Sequence, residues 1–110
     1  MKIIFGSDAP VETPNPLLGL YASVTRKSVH AELQEDWFPH QCLTRSQALA
    51  AYTTTSAFAS GNENRMGRIA PSYFADLIIL DKDPLTIHAE ELINLKPSAV
   101  MISGQWVKRV

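Results

Sequence analysis

After a short β-rich run at the start, hydrophobic positions in this chain mark two helices within residues 1–63 and short strands afterwards. Lys2-Ile3-Ile4-Phe5-Gly6 is a short apolar run rich in β-formers, stopped by Gly6-Ser7-Asp8-Ala9-Pro10. A run apolar on both faces predicts a buried, parallel-type strand, which needs neighbours on both sides. Asn15 then stands as an N-cap with Pro16 at the first helical position, where its missing N–H costs nothing. Leu17, Leu20, Tyr21 and Val24 keep the spacing of one helix face. Residues 27–42 are a polar stretch broken by Trp37, Phe38 and Pro39, read as loop with one helical turn. Thr44-Arg45-Ser46-Gln47 has the form of a capping box. Ala48, Leu49, Ala51, Tyr52, Ala57 and Phe58 continue it as a second helix, which Gly61 stops. The β-branched run Thr53-Thr54-Thr55 weakens the propensity of its middle.

After residue 63 short apolar runs take over. Met66-Gly67-Arg68-Ile69 and Asp76-Leu77-Ile78-Ile79-Leu80 predict strands, and Asp81-Lys82-Asp83-Pro84 breaks the second. Ala89 to Leu95 predicts a short helix. Ala99 to Ile102 and Gln105 to Lys108 flank Ser103-Gly104, the signature of a tight hairpin. The expected order is therefore one strand, two helices, then about four strands, an α/β chain divided into residues 1–63 and 64–110.

Composition narrows the function classes. The 110 residues suffice for one ordinary domain. With 45% hydrophobic and 19% charged residues, the chain reads as globular. Ten Lys and Arg against eleven Asp and Glu leave a net charge of -1, with no basic footprint for nucleic acid or an acidic membrane. The single cysteine, Cys42, can form no internal disulfide and fits a reducing compartment. No apolar stretch approaches the ~20 residues of a membrane span, and the N-terminal run is too short for a signal peptide. The expectation is a soluble, cytoplasmic chain.

Several phrases, in order, resemble the C-terminal part of amidohydrolase-superfamily enzymes, in the family 3 group related to N-substituted formamide deformylases. Phe5-Gly6-Ser7-Asp8-Ala9-Pro10 resembles the end of the eighth barrel strand with its metal aspartate. Pro14-Asn15-Pro16-Leu17 through Ala22-Ser23-Val24-Thr25-Arg26 is similar to the helix that follows. Leu43-Thr44-Arg45-Ser46-Gln47-Ala48-Leu49 with Tyr52-Thr53 resembles the final barrel helix. Gly67-Arg68-Ile69 and Ala75-Asp76-Leu77-Ile78-Ile79-Leu80-Asp81 resemble the return into a small β-sandwich, which Gly104 and Trp106 close as a hairpin. One departure is Pro71-Ser72-Tyr73, where relatives commonly carry Pro-Gly. Ser accepts a positive φ less readily than Gly, so this bears on the turn geometry.

The resemblance implies a (β/α)₈ barrel with a composite β-sandwich, and a barrel takes ~250 residues. It therefore implies that this chain is the C-terminal part of a metal-dependent hydrolase: last barrel strand, last barrel helices and part of the sandwich, not a complete barrel. It also implies Asp8 as the site residue, both metal ligand and catalytic group. In the family the aspartate binds a divalent metal, zinc first, and takes a proton from the metal's water. The metal lowers that water's pKa from ~16 toward ~7. The hydroxide attacks an amide-like carbonyl, and the aspartate passes the proton to the leaving nitrogen. Read from Gly6-Ser7-Asp8-Ala9 alone, Asp8 is a turn-capping residue before Pro10, and that reading stands beside the other. One carboxylate cannot hold zinc, which takes three or four ligands, and His30, His40 and His88 form no His-x-His pair.

The remaining candidates read as structural. His30, His40 and Cys42 invite a zinc site but lack a fourth ligand, and solvated loop residues are the favoured reading. Cys42 as a nucleophile would need a base that lowers its pKa. Asp76 reads as a strand-start residue, Trp37, Phe38 and Trp106 as packing aromatics, and Arg26 as a helix-surface charge. The expected function is hydrolysis of a small amide or formamide-like C–N bond by the parent enzyme, with the chain alone inactive and binding no metal of its own. The rivals are a regulatory or interaction module, since some relatives are described as exoenzyme regulators, and a structural domain without activity. The expected partners are the parent's N-terminal barrel and a second copy in a homodimer, with no nucleic acid and no membrane.

Overall fold

The computed structural model describes residues 1–29 and 37–109. It is a mixed helix and strand structure and not a closed barrel: α1 (Pro16–Thr25), α2 (Arg45–Tyr52), α3 (Thr54–Ala59), β1 (Leu77–Leu80), β2 (Pro97–Ile102) and β3 (Gln105–Arg109). Two 3-10 helices, Pro39–Gln41 and Ala89–Asn94, lie between them.

The helix starts follow their capping chemistry. Asn15 Oδ1 accepts from the Leu17 N–H at 3.1 Å and Pro16 opens α1, which ends at Arg26 in the left-handed region. At α2 the capping box is complete: Thr44 Oγ1 accepts from the Gln47 N–H at 3.2 Å, and Gln47 Oε1 from the Thr44 N–H at 2.9 Å. The predicted second helix is broken in two at Thr53 (φ -122°, ψ -90°). The cause lies in the hydroxyl-rich middle. Thr53 Oγ1 donates to the Leu49 carbonyl and Ser56 Oγ to the Ala51 carbonyl, bonds that compete with the helical ladder and bend it.

Two predicted strands are not formed. Residues 2–6 make no strand, because a strand exists only by pairing; here the Phe5 N–H donates to the Ala51 carbonyl of α2 at 3.2 Å. Ile3 and Ile4 are exposed, so the buried barrel strand expected there is absent from this structure. Residues 66–68 form a bend, and no strand forms over 66–69. Gly67 has φ +90°, and a Cβ there would lie 2.7 Å from the Ala57 Cβ and 3.0 Å from the Thr53 carbonyl oxygen. The segment thus fits into the α2–α3 break by close backbone approach, which only glycine permits. Ser72 adopts a positive φ (69°), so the turn after Pro71 has a left-handed residue although it carries no glycine.

The other elements appear as expected, the 89–95 segment as a 3-10 helix. The sheet is antiparallel with order β1-β2-β3, and its register sets Leu77 opposite Met101 and Met101 opposite Trp106. Ser103 and Gly104 both have positive φ, as a two-residue primed turn needs. The buried cluster lies elsewhere. Leu17, Leu20 and Tyr21 of α1 and Ala48 of α2 close on Leu92 and Leu95, so it draws on both stretches of the chain. Arg45 fastens the same junction, donating to the Pro84 carbonyl at 2.6 Å and the Ile87 carbonyl at 2.9 Å. Among the described residues no helix is long and apolar enough to cross a membrane.

Candidate functional site

Asp8 sits at the tip of a turn. Its φ is 52°, in the left-handed region, its carbonyl accepts from the Val11 N–H at 2.9 Å, and the residue is exposed. Asp is among the few residues that tolerate this conformation, at some cost in backbone energy. The turn follows directly on Gly6 and Ser7, which wall one side of a cavity of about 400 Å³. Glu12, Thr13 and Asn15, Gly19 and Ala22 of α1, Arg26, Trp37 and Tyr52 are among its other lining residues.

Tyr52 has a role that its place in the helical pattern, as an apolar-face position, did not predict. Its ring lies 5.2 Å from that of Phe5, and burial raises its phenol pKa above the ordinary 10.0. The phenol therefore stays protonated at neutral pH, a donor on the cavity wall. Room for it comes from Gly19: a Cβ at that position would lie 1.9 Å from the Tyr52 Oη. An aromatic with a polar tip four residues after Ala48 was the available signal, but the facing glycine on another helix could not be placed from periodicity.

On the cavity's other flank Arg26 is more than a helix-surface charge. It caps α1, its Nε donates to the Trp37 carbonyl at 3.4 Å, and its guanidinium lies 5.0 Å from the Trp37 ring centroid. Trp37 and Phe38, read as packing aromatics, meet at a tilt of 55° with centroids 5.7 Å apart yet stay largely exposed, Trp37 at 65%. Trp106 is half-exposed beside Arg109. Asp76 is structural: its Oδ1 accepts from the Ser103 N–H at 2.6 Å, holding the hairpin turn against the start of β1.

The zinc candidates are not brought together among the described residues. His40 is exposed with its ring edge-on to Phe38 at 5.8 Å, and Cys42 is half-buried as a free thiol. His30 lies outside the described residues. Among the described residues no three His, Cys, Asp or Glu side chains gather as a metal site. The cavity's lining carboxylate is Glu12, with Asp8 on the adjoining turn, and these described residues by themselves do not fit a metal ion.

A family model described as an amidohydrolase family matches residues 1–108. The chain is 38% identical over 102 residues to the candidate amidohydrolase YtcJ of Bacillus subtilis (strain 168), covering 93% of this chain and 19% of that protein. It is 29% identical over 104 residues to the N-substituted formamide deformylase of Arthrobacter pascens, covering 94% of this chain and 19% of that protein. It therefore spans about a fifth of the length of these relatives. Among solved structures, an amidohydrolase from Thermotoga maritima MSB8 matches the whole chain with 24% of its own, at a TM-score of 0.66 and 21% identity, a likeness of fold.

Proposed function

The chain belongs to the amidohydrolase family, and from that premise we propose that it is the C-terminal portion of a metal-dependent hydrolase that cleaves the C–N bond of a small amide or formamide-like compound. In this reading Asp8 is the chain's contribution to the metal site and its proton-handling group. The observation that carries it is the Gly6-Ser7-Asp8 turn: Asp8 is exposed with a left-handed backbone, directly after Gly6 and Ser7, which line a cavity of about 400 Å³. Non-glycine residues in such conformations cluster at functional sites. The family match spans residues 1–108 and so includes this turn.

A lone carboxylate does not make a metal centre, so the remaining ligands would come from residues outside this chain, and no chemical step is routed through a metal here. The chain's own part is to shape the pocket. Gly6, Ser7, residues of α1 and Trp37 line it, and Tyr52 offers a neutral hydroxyl. Such a pocket, with apolar walls and a few polar and charged groups (Glu12, Arg26 and Lys27 among them), suits a small substrate.

The coding sequence upstream of the Met1 codon tests this reading. A continuous frame carrying a His-x-His pair at the end of a predicted first barrel strand is the expected result. An in-frame stop directly before Met1 would contradict the assignment to a longer hydrolase.

A further inference from the structure

The run that leads to Asp8 straddles the break between α2 and α3. Of residues 1–8 only Phe5 and Ser7 escape full exposure. Phe5 rests on α2, its N–H donating to the Ala51 carbonyl at 3.2 Å and its ring 5.2 Å from that of Tyr52. Lys2 rests on α3, with Nζ 3.1 Å from the centroid of the Phe58 ring. The course of the run, and so the place at which Asp8 emerges after Phe5, follows the angle at which the two helices meet.

The break also makes the Phe5 contact available. In a continuous helix the Ala51 carbonyl would accept from the N–H of Thr55. Here α2 stops at Tyr52, and a helix end leaves its last carbonyls without ladder partners. The Leu49 carbonyl takes the Thr53 hydroxyl at 2.8 Å, and the Ala50 carbonyl takes the Thr53 N–H at 3.2 Å. The Ala51 carbonyl takes the Ser56 hydroxyl at 2.6 Å together with the Phe5 N–H. Gly67 lies against the same break with φ +90°; a Cβ there would sit 3.0 Å from the Thr53 carbonyl oxygen and 3.1 Å from the Thr54 Cα. Bare backbone of the second stretch of the chain therefore fills a space that admits no side chain.

We infer that the α2–α3 break positions Asp8. Thr53 and Ser56 are positioning residues whose hydroxyls keep the Ala51 carbonyl out of the helical ladder and open to Phe5. Gly67 is a third, seated where a closed helix would leave no room for it. It acts on Asp8 without touching it, by way of the break, Ala51 and Phe5. That this placement serves catalysis rests on the role proposed for Asp8. The docking of the run does not, so the test below can fail while that role stands.

Amide hydrogen exchange of the chain, read residue by residue by NMR, supplies that test. The Phe5 N–H should be protected in the parent. Thr53→Ala combined with Ser56→Ala removes both hydroxyls and lets the ladder close on Ala51. Phe5 should then exchange roughly five- to tenfold faster, the worth of one backbone hydrogen bond. The Leu20 amide, in the buried cluster, should keep its rate, and the Asp8 amide resonance should move. Thr53→Ser keeps the hydroxyl and should behave as the parent. Gly67→Ala should also speed Phe5 exchange, whereas Gly61→Ala, at φ +69° with nothing within 4 Å of the added methyl, should not. An unprotected Phe5 amide in the parent, a Phe5 rate or Asp8 resonance unmoved by the double variant, an acceleration shared equally by Leu20, or equal effects of the two glycine variants would overturn the inference.

Discussion

The α1–α2 cluster and the three-stranded sheet are held together by different means. In the cluster, Leu92 is fully buried and packs among Leu17, Leu20, Tyr21 and Ala48, with Arg45 fastening the adjoining loop. In the sheet only Ala99 is buried; β3 is exposed at every position and β1 at its centre. The cluster is thus stabilised by apolar burial, the dominant driving force in folding. The sheet relies on ladder hydrogen bonds, the Ser103-Gly104 turn and the Asp76 bond to that turn. Small isolated sheets of this kind are marginal in water without something packed on them. The difference separates a part of the fold stabilised by burial from one stabilised by hydrogen bonding.

Leu92→Ala should expose this contrast most strongly. Emptying a fully buried leucine site costs about 2–5 kcal/mol, read as a lower midpoint in urea unfolding. A matched change in the sheet, Val107→Thr on the exposed β3, should stay within about 0.5 kcal/mol of the parent. If the two cost the same, the helical cluster is not the stabilising core.

Gly19→Ala comes next. The new methyl would collide with the Tyr52 hydroxyl at 1.9 Å, an overpacking cost of about 1–3 kcal/mol. The better helix propensity of alanine offsets it by ~0.5–1 kcal/mol. Adding Tyr52→Phe removes the oxygen and leaves Cζ at 3.1 Å, so most of the loss should be recovered. Thermal unfolding of the single and double variants checks this, and a Gly19→Ala protein as stable as the parent would mean that the cavity wall is not packed as described.

The smallest effect is expected at the exposed Lys82–Glu91 ion pair. The hydrogen bond between them, with their mutual attraction, lowers the Glu91 pKa from its ordinary 4.5 and raises that of Lys82 from 10.5. The Glu91 contribution is present above the ordinary carboxylate value and lost as pH falls through the lowered one. The Lys82 contribution is present below the ordinary amine value and lost as pH rises through the raised one. The pair should therefore leave stability flat across neutral pH. Glu91→Gln should change it least of these variants, with any difference disappearing in high salt.

Much of this was legible from local chemistry. Asn15-Pro16, the Thr44–Gln47 box and the Ser103-Gly104 turn each specify their backbone within a few residues, and each appears as expected. What failed were elements that depend on distant partners. Ile3-Ile4-Phe5 has a strand composition but no strand beside it, and Met66 to Ile69 yields to the fit of Gly67 against Ala57. At the site, the Gly-Ser-Asp turn could be located from sequence, as could the strand-start role of Asp76. The Tyr52–Gly19 approach and the seating of Arg26 on Trp37 could not, because no local pattern links residues so far apart in the chain.

Asp8, in the function proposed, is one ligand of a metal site completed by residues beyond this chain. Calorimetric titration of the chain with Zn²⁺ is the sharpest check. At most weak binding is expected, diminished further by Asp8→Ala. Tight stoichiometric binding that is indifferent to Asp8→Ala and abolished by changing His30, His40 or Cys42 would contradict it.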